Sequence, residues 1–194
     1  MEHLFINGTD NLFVLFHGTG GNESDLLFLI TGELDSHASV ISFLGNVGIG
    51  KNRRFFNPLV NGKLDKQNYS EKIEKFLKNW DLMDTSKYKN ITFIGYSNGA
   101  NFTLGLLEKR PDIANTTILL HPSNFDRQFL KKPEKNKIIA TTGALDLMAP
   151  AADVVKLKTQ LSGIGYEEFQ IIMLDSGHEI TNKEIEKLKE IYKK

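Results

Sequence analysis

Short runs of apolar and β-branched residues recur along the chain, and they limit its fold more tightly than any other feature. They occupy residues 12–16, 40–44, 91–95, 116–120, 137–142 and 169–174, each bounded by glycine, proline, asparagine or charged residues. Runs this short, rich in Val, Ile, Phe and Thr and without polar alternation, fit strands covered on both faces. Between them, residues 23–34, 69–84, 98–109, 151–161 and 182–192 carry helical spacing. In 69–84, for example, Ile73, Phe76, Leu77 and Trp80 share one face and lysines and glutamates cover the other. Strand and helix therefore alternate, which predicts an α/β fold: a mainly parallel central sheet with helices on both faces. Ligands of such sheets bind beyond the carboxyl ends of the strands, so the residues just after each run are the ones to inspect.

At 194 residues the expectation is one domain spanning 1–194, long enough to bury about 70% of its unfolded surface. Lysine plus arginine (24) equal aspartate plus glutamate (24), so net charge draws the chain neither to nucleic acid nor to an anionic membrane, and a small-molecule partner is expected. The absence of cysteine removes disulfides, thiolate metal sites and cysteine nucleophiles. The opening MEHLFINGTDNLFVLF lacks the pattern of a secretory leader, and no apolar run is long enough for a membrane span, so a cytoplasmic protein is expected. Residues 45–68 break all periodicity and read as a long loop.

The run at 91–95 leads into GYSNG, which fits GxSxG: a serine on a sharp strand-to-helix turn with its hydroxyl exposed. Gly95 and Gly99 give the room that corner needs. Ser97 could instead merely cap the following helix. As a nucleophile it needs a base, and the base needs an orienting group. Downstream, LDSGHEI places His178 after the last strand, and TTGALDLMAP places Asp146 after the strand before it. The competitors are weaker. His3 is near the start of the chain, His37 lies between a helix and a strand, and His121 precedes the acid in the chain. Asp175 stands three residues from His178, and Asp153 opens a helix. Two backbone amides should receive a developing oxyanion. Asn98 supplies one by following the serine, and the glycine loop HGTGG supplies the other at Thr19.

HGTGG, GYSNG, the Asp146 loop and GHEIT together resemble the carboxylesterase/phospholipase branch of the α/β-hydrolases, related to dienelactone hydrolases and acyl-protein thioesterases. RRFFNP at 53–58, with an asparagine after the serine, is similar to small bacterial carboxylesterases associated with quinone and hydroquinone stress. The resemblance implies an α/β-hydrolase fold; the chain departs from it in a short amino-terminal sheet, with the first hairpin reduced to residues 2–7, and no stretch is long enough for a separate cap domain. The resemblance also implies a serine esterase that uses Ser97, His178 and Asp146 through an acyl-enzyme, with no metal and no organic cofactor. Thioesterase or lysophospholipase activity on the same fold is the alternative. Phe55, Phe56, Phe125, Leu147 and Met148 are the expected apolar wall of an open cleft beneath residues 45–68 and 123–136. An exposed edge strand could pair two copies as a homodimer.

Two readings from other classes stand beside this one. GNVGIGKN, residues 45–52, nearly satisfies the nucleotide-binding pattern GxxxxGK[ST], but Asn52 replaces the hydroxyl residue and Pro58 interrupts the helix that should follow. A hydrolase scaffold that binds without turnover is the other, and it would lack one of the three side chains.

Overall fold

A computed structural model describes residues 1–192. In chain order its elements are β1 (His3–Ile6), β2 (Asn11–Phe16), β3 (Ser39–Phe43), α1 (Lys66–Trp80), β4 (Asn90–Tyr96), α2 (Asn98–Lys109), β5 (Thr116–Leu120), β6 (Lys137–Gly143), α3 (Ala151–Ser162), β7 (Phe169–Leu174) and α4 (Asn182–Tyr192). The strands form one seven-stranded sheet in the order β1-β3-β2-β4-β5-β6-β7. All pairings are parallel except β1 with β3, so the expected opening hairpin is a single antiparallel edge strand.

The apolar runs explain the layering. In β2, Leu12, Val14 and Phe16 join a core with α1, α2 and α3, while Phe13 and Leu15 join a second core with residues Leu29, Ile30 and Leu34 and with Leu188 of α4. Successive side chains of a strand point to opposite faces, so a continuously apolar strand needs cover on both. Phe16 meets Phe43, Phe55, Phe76 and Phe102 at ring separations of 5.4–5.6 Å. That cluster fills the space between the sheet and α1 and α2.

The chain runs outward from β2 to β3, then returns to lay β4 on the other side of β2. The loops leaving β2 and β4 therefore part in opposite directions and open a crevice at their carboxyl ends. His17–Gly21 and Ser97 lie there.

The structure corrects one expectation and leaves one rival reading without support. The helix expected over 23–34 is a series of turns ending in a wide helical turn at Leu29–Leu34. Asn22 and Asp25 account for this, because their side chains accept the backbone N–H groups of Ser24 and Asn22 and compete with helical bonding. The nucleotide-loop pattern at 45–52 forms no helix start. A bridge pairs Val47 with Arg54, a three-residue 3-10 turn covers Gly50–Asn52, and no helix follows before Lys66. A phosphate cradle needs amides gathered at a helix N-terminus, which this segment lacks. Among the described residues no helix is long and apolar enough to cross a membrane.

Candidate active site

Ser97 alone joins β4 to α2. Its φ of 50° and ψ of −110° lie outside the regions open to ordinary residues, at a cost of about 1–3 kcal/mol that the surroundings must absorb. Its amide donates to the Leu120 carbonyl at 2.8 Å and its carbonyl accepts from the Asn101 amide at 2.9 Å. The flanking glycines are required by contact. A Cβ on Gly95 would stand 2.5 Å from the Gly99 oxygen, and one on Gly99 would stand 2.6 Å from the His17 oxygen. The Ser97 side chain makes no capping bond to its helix. Its Oγ lies 2.8 Å from Nε2 of His178.

His178 sits in the turn after β7, half-buried. Tyr96 donates its hydroxyl to the His178 carbonyl at 2.9 Å, and the Leu145 amide donates to the Ser176 carbonyl at 2.9 Å. A Cβ at Gly143 would overlap the carbonyl oxygens of Gly177 and Ser176, so the turns after β6 and β7 meet only because residue 143 is glycine. His178 Nδ1 lies 2.7 Å from Oδ2 of Asp146.

The Asp146 side chain is fully buried. Its Oδ1 accepts the amides of Met148 and Ala149 at 2.9 and 2.8 Å, and its Oδ2 faces His178 and, at 3.0 Å, Nδ1 of His121. Burial pushes the carboxyl's pKa up, but the Ala149 amide and the two imidazoles outweigh it and hold it below the ordinary value. An ionised carboxylate only accepts hydrogen bonds, so the His178 proton belongs on Nδ1 and Nε2 is free to accept from the Ser97 hydroxyl.

The glycine loop is aimed by its own histidine. His17 is buried; its Nε2 accepts the Gly45 amide at 3.0 Å, so its Nδ1 carries the proton and donates to the Gly18 carbonyl at 2.6 Å. Burial lowers the pKa of this ring, consistent with a neutral imidazole. In a trans peptide the carbonyl of Gly18 and the N–H of Thr19 point in opposite directions, so this bond turns the Thr19 amide away from the His17 ring. Asn98 opens α2, where amides lack helical acceptors. The Asn98 side chain is used elsewhere, accepting the Phe55 amide at 2.8 Å and tying the loop after β3 to the serine turn.

Thr19, Ser97, Asn98 and His178 line one cleft of about 160 Å³. Of the expected wall, Phe56, Phe125 and Met148 line it, together with Arg54, Asn57 and residues that the sequence did not single out, Asn101 and Ser123. Two expected residues lie elsewhere. Phe55 is fully buried in the core, stacked at 5.1 Å on Phe102, because the Asn98 bond draws its backbone inward. Leu147 is 94% exposed, carried outward by the turn whose amides at 148 and 149 bind Asp146. A larger cavity of about 370 Å³ between α1, α2 and residues 125–128 shares Phe125 but contains none of Ser97, Asp146 and His178.

The rejected candidates fall apart in space. His3, His37 and Asp175 are exposed, and Asp153 accepts the Asn124 amide at 2.9 Å. His121, set aside as the base, is fully buried and contacts Asp146 and Glu184. Glu184 was not among the sequence candidates, although TNKE at 181–184 is the pattern of a helix capping box. Among the described residues, ligand atoms of His121, Asp146 and His178 lie within 4.8 Å of one another, close enough to share a cation. Both imidazole contacts to Asp146 Oδ2 are at hydrogen-bond length, so a cation there would have to displace the protons that orient His178.

A parallel sheet of this order, with a strained serine turn after β4 at its crevice, is the fold of the α/β-hydrolases. No family model matches the chain. It is 31% identical over 202 residues to MhqD of Bacillus subtilis (strain 168), named as a hydrolase, covering 100% of this chain and 98% of the relative. The carboxylesterase of Bacillus cereus superposes with a TM-score of 0.84 at 33% identity, covering 100% of this chain and 93% of that one. A carboxylesterase from Mesorhizobium loti shares the fold with a TM-score of 0.84 at 23% identity, over 94% of this chain and 88% of that one. The chain belongs to the carboxylesterase-type hydrolase family within this fold, and it is an enzyme.

Proposed function

We propose that this hydrolase cleaves carboxylic esters with short-chain or small aromatic acyl groups, using Ser97 as nucleophile, His178 as general base and acid, and Asp146 as the orienting carboxylate. The observation that carries the reading is the Ser97 hydroxyl, which leaves its helix uncapped and meets His178 Nε2 at 2.8 Å. His178 takes the Ser97 proton as Oγ attacks the ester carbonyl, and Asp146 balances the imidazolium. The oxyanion is received by the amides of Thr19 and Asn98, a pair of donors each worth about 2.7–4 kcal/mol in the transition state. His178 then passes its proton to the leaving alcohol oxygen. Water, deprotonated by the same ring, attacks the acyl-enzyme, and Ser97 recovers its proton as the acid departs. No step requires a metal or an organic cofactor.

The named roles of the Bacillus relatives support hydrolysis and, for the B. cereus protein, ester substrates. The size of the cleft, about 160 Å³, favours small acyl groups. A panel of nitrophenyl esters of increasing acyl length tests this. Turnover should be greatest on the shortest chains and absent in Ser97→Ala. A preference for long acyl chains would move the reading to a lysophospholipase, and a preference for thioesters over matched esters to a thioesterase. Equal turnover by Ser97→Ala would end it.

A further inference from the structure

The proposed triad uses only part of the buried polar chemistry at this end of the sheet. His121, just after β5, and Glu184, in the first turn of α4, take no part in the bond-making steps, yet both are fully buried. His121 is held at φ 51°, a conformation that side-chain-bearing residues adopt only when their surroundings enforce it. Its Nδ1 lies 3.0 Å from Asp146 Oδ2 and its Nε2 lies 3.2 Å from Glu184 Oε2. Each contact consumes a proton, and a neutral imidazole carries one. Glu184 is fixed in turn by a reciprocal cap. Its amide donates to Thr181 Oγ1 at 3.2 Å, and its Oε2 accepts the Thr181 amide at 3.4 Å. The other Glu184 oxygen is buried without a partner among the described residues, so His121 is the one cationic group within bonding distance of that acid.

The titratable groups facing His121 are Asp146 from the turn after β6, Glu184 from α4, His178 from the turn after β7 and Tyr96 at the end of β4. The His178 and Tyr96 rings stand 5.3 and 6.1 Å from it. Burial opposes a charged imidazole, but the bonds and charges of Glu184 and Asp146 outweigh it and raise the pKa of the ring. We propose that His121 and Glu184 are positioning residues: an imidazolium at His121, balanced by Glu184, holds Asp146 Oδ2 where it meets Nδ1 of His178. This rests on the reading of Ser97, His178 and Asp146 as the reacting groups. It gives the carboxylate four donors, two amides on Oδ1 and two imidazoles on Oδ2, which fills its acceptor sites and leaves it no alternative orientation.

Glu184→Gln tests the charge, because glutamine also serves in a capping box. Without the acid the His121 ring becomes neutral, and a cation 5.3 Å from the His178 ring disappears. Glu184 meets His121 at Nε2, whereas the contact leading to His178 through Asp146 is made at Nδ1, so the loss of the glutamate charge is felt less at His178. The acid limb of kcat/KM should then move up by about half a pH unit to one unit. The donor is tested in the same background, so that no buried acid is stranded. Asparagine at 121 keeps an N–H facing Asp146, and leucine removes it. E184Q/H121L should lose roughly ten- to a hundredfold in kcat relative to E184Q/H121N, with KM unchanged. Histidine 15N NMR on the wild type and on Ser97→Ala separates this inference from the proposed reaction. If the wild type hydrolyses no ester, the proposed function fails. His121 with both ring nitrogens protonated at neutral pH, and a His178 Nδ1–H form lost in E184Q/H121L, would still sustain the positioning role. A neutral His121 ring, an acid limb unmoved by Glu184→Gln, or equal kcat in the two double variants would overturn it.

Discussion

Replacing Gly99 by alanine sets two physical effects against each other with opposite signs. Gly99 lies in the first turn of α2, where alanine is the better helix former by about 0.8–1 kcal/mol. Propensity alone therefore predicts a more stable protein. The contacts predict the reverse. A Cβ at 99 would stand 2.6 Å from the His17 oxygen and closer still to that of Phe16, against an ordinary contact floor of 3.4 Å. Both obstacles are backbone of β2 and its exit, so neither can swing aside. The start of α2 must withdraw by roughly 0.8 Å or more to restore ordinary contact. Overpacking of this kind costs about 1–3 kcal/mol, which cancels the helix gain and leaves a net loss of up to about 2 kcal/mol. That corresponds to a Tm lower by up to about 8 °C for a chain of this size. The same displacement carries Ser97 and the Asn98 amide with it, and a misplacement of about 1 Å can reduce turnover about a hundredfold. Thermal unfolding and nitrophenyl ester hydrolysis read the two effects separately. Gly32→Ala, in the helical turn Leu29–Leu34 with nothing within 4 Å of the added methyl, is the control and should keep full activity with stability unchanged or raised by up to about 1 kcal/mol. A Gly99→Ala protein as stable and as active as the wild type would refute the claim that close approach of strand and helix shapes the serine turn.

Asp146→Asn should lower kcat about 10⁴-fold with little change in KM, since an amide can present a donor to His178 Nδ1 and stabilise the wrong tautomer. Stopped-flow kinetics on a nitrophenyl ester measures this, and a loss under tenfold would count against the orienting role. Phe55→Ala should cost about 3–5 kcal/mol in urea unfolding, as expected for a ring fully buried among Phe16 and Phe102, while Leu147→Ala should change stability by less than about 0.5 kcal/mol. The buried His121 also predicts a pH dependence of stability. Its folded pKa lies above the ordinary 6.5, so its stabilising contribution is complete below that value and is lost as pH rises through the folded one. The Tm gap between wild type and His121→Asn should accordingly narrow on going from acid to alkaline pH, and a gap that widens would contradict the assignment.

Much of this molecule could be read from the chain because the readable parts are those where one physical demand dominates. Strands β2, β4, β5 and β6 are buried on both faces, and the expected runs at 12–16, 91–95, 116–120 and 137–142 match them to within two residues at either end. GYSNG could be read because steric room at a corner admits only glycine on both sides. The misread parts are those where side chains compete with backbone pattern. Asn22 and Asp25 undo the helix that apolar spacing suggests. Helix α1 begins at Lys66 rather than at 69 because Asp65 caps it by accepting the Asn68 amide. Phe55 and Phe56 are adjacent aromatics and both are buried, but only Phe56 also lines the cleft, and the bond that holds Phe55 back, from its amide to Asn98, joins residues 43 positions apart. Glu184 was invisible for the same reason: its cap is local, but its contact with His121 joins residues 63 positions apart.

The central claim is that Ser97 is the nucleophile, and covalent capture tests it most directly. Incubation with a fluorophosphonate followed by peptide mass spectrometry should place one adduct on Ser97, formed more slowly when His178 is replaced by alanine and absent in Ser97→Ala. An unlabelled Ser97 in folded wild-type protein that still hydrolyses esters, or an adduct at another residue, would contradict it.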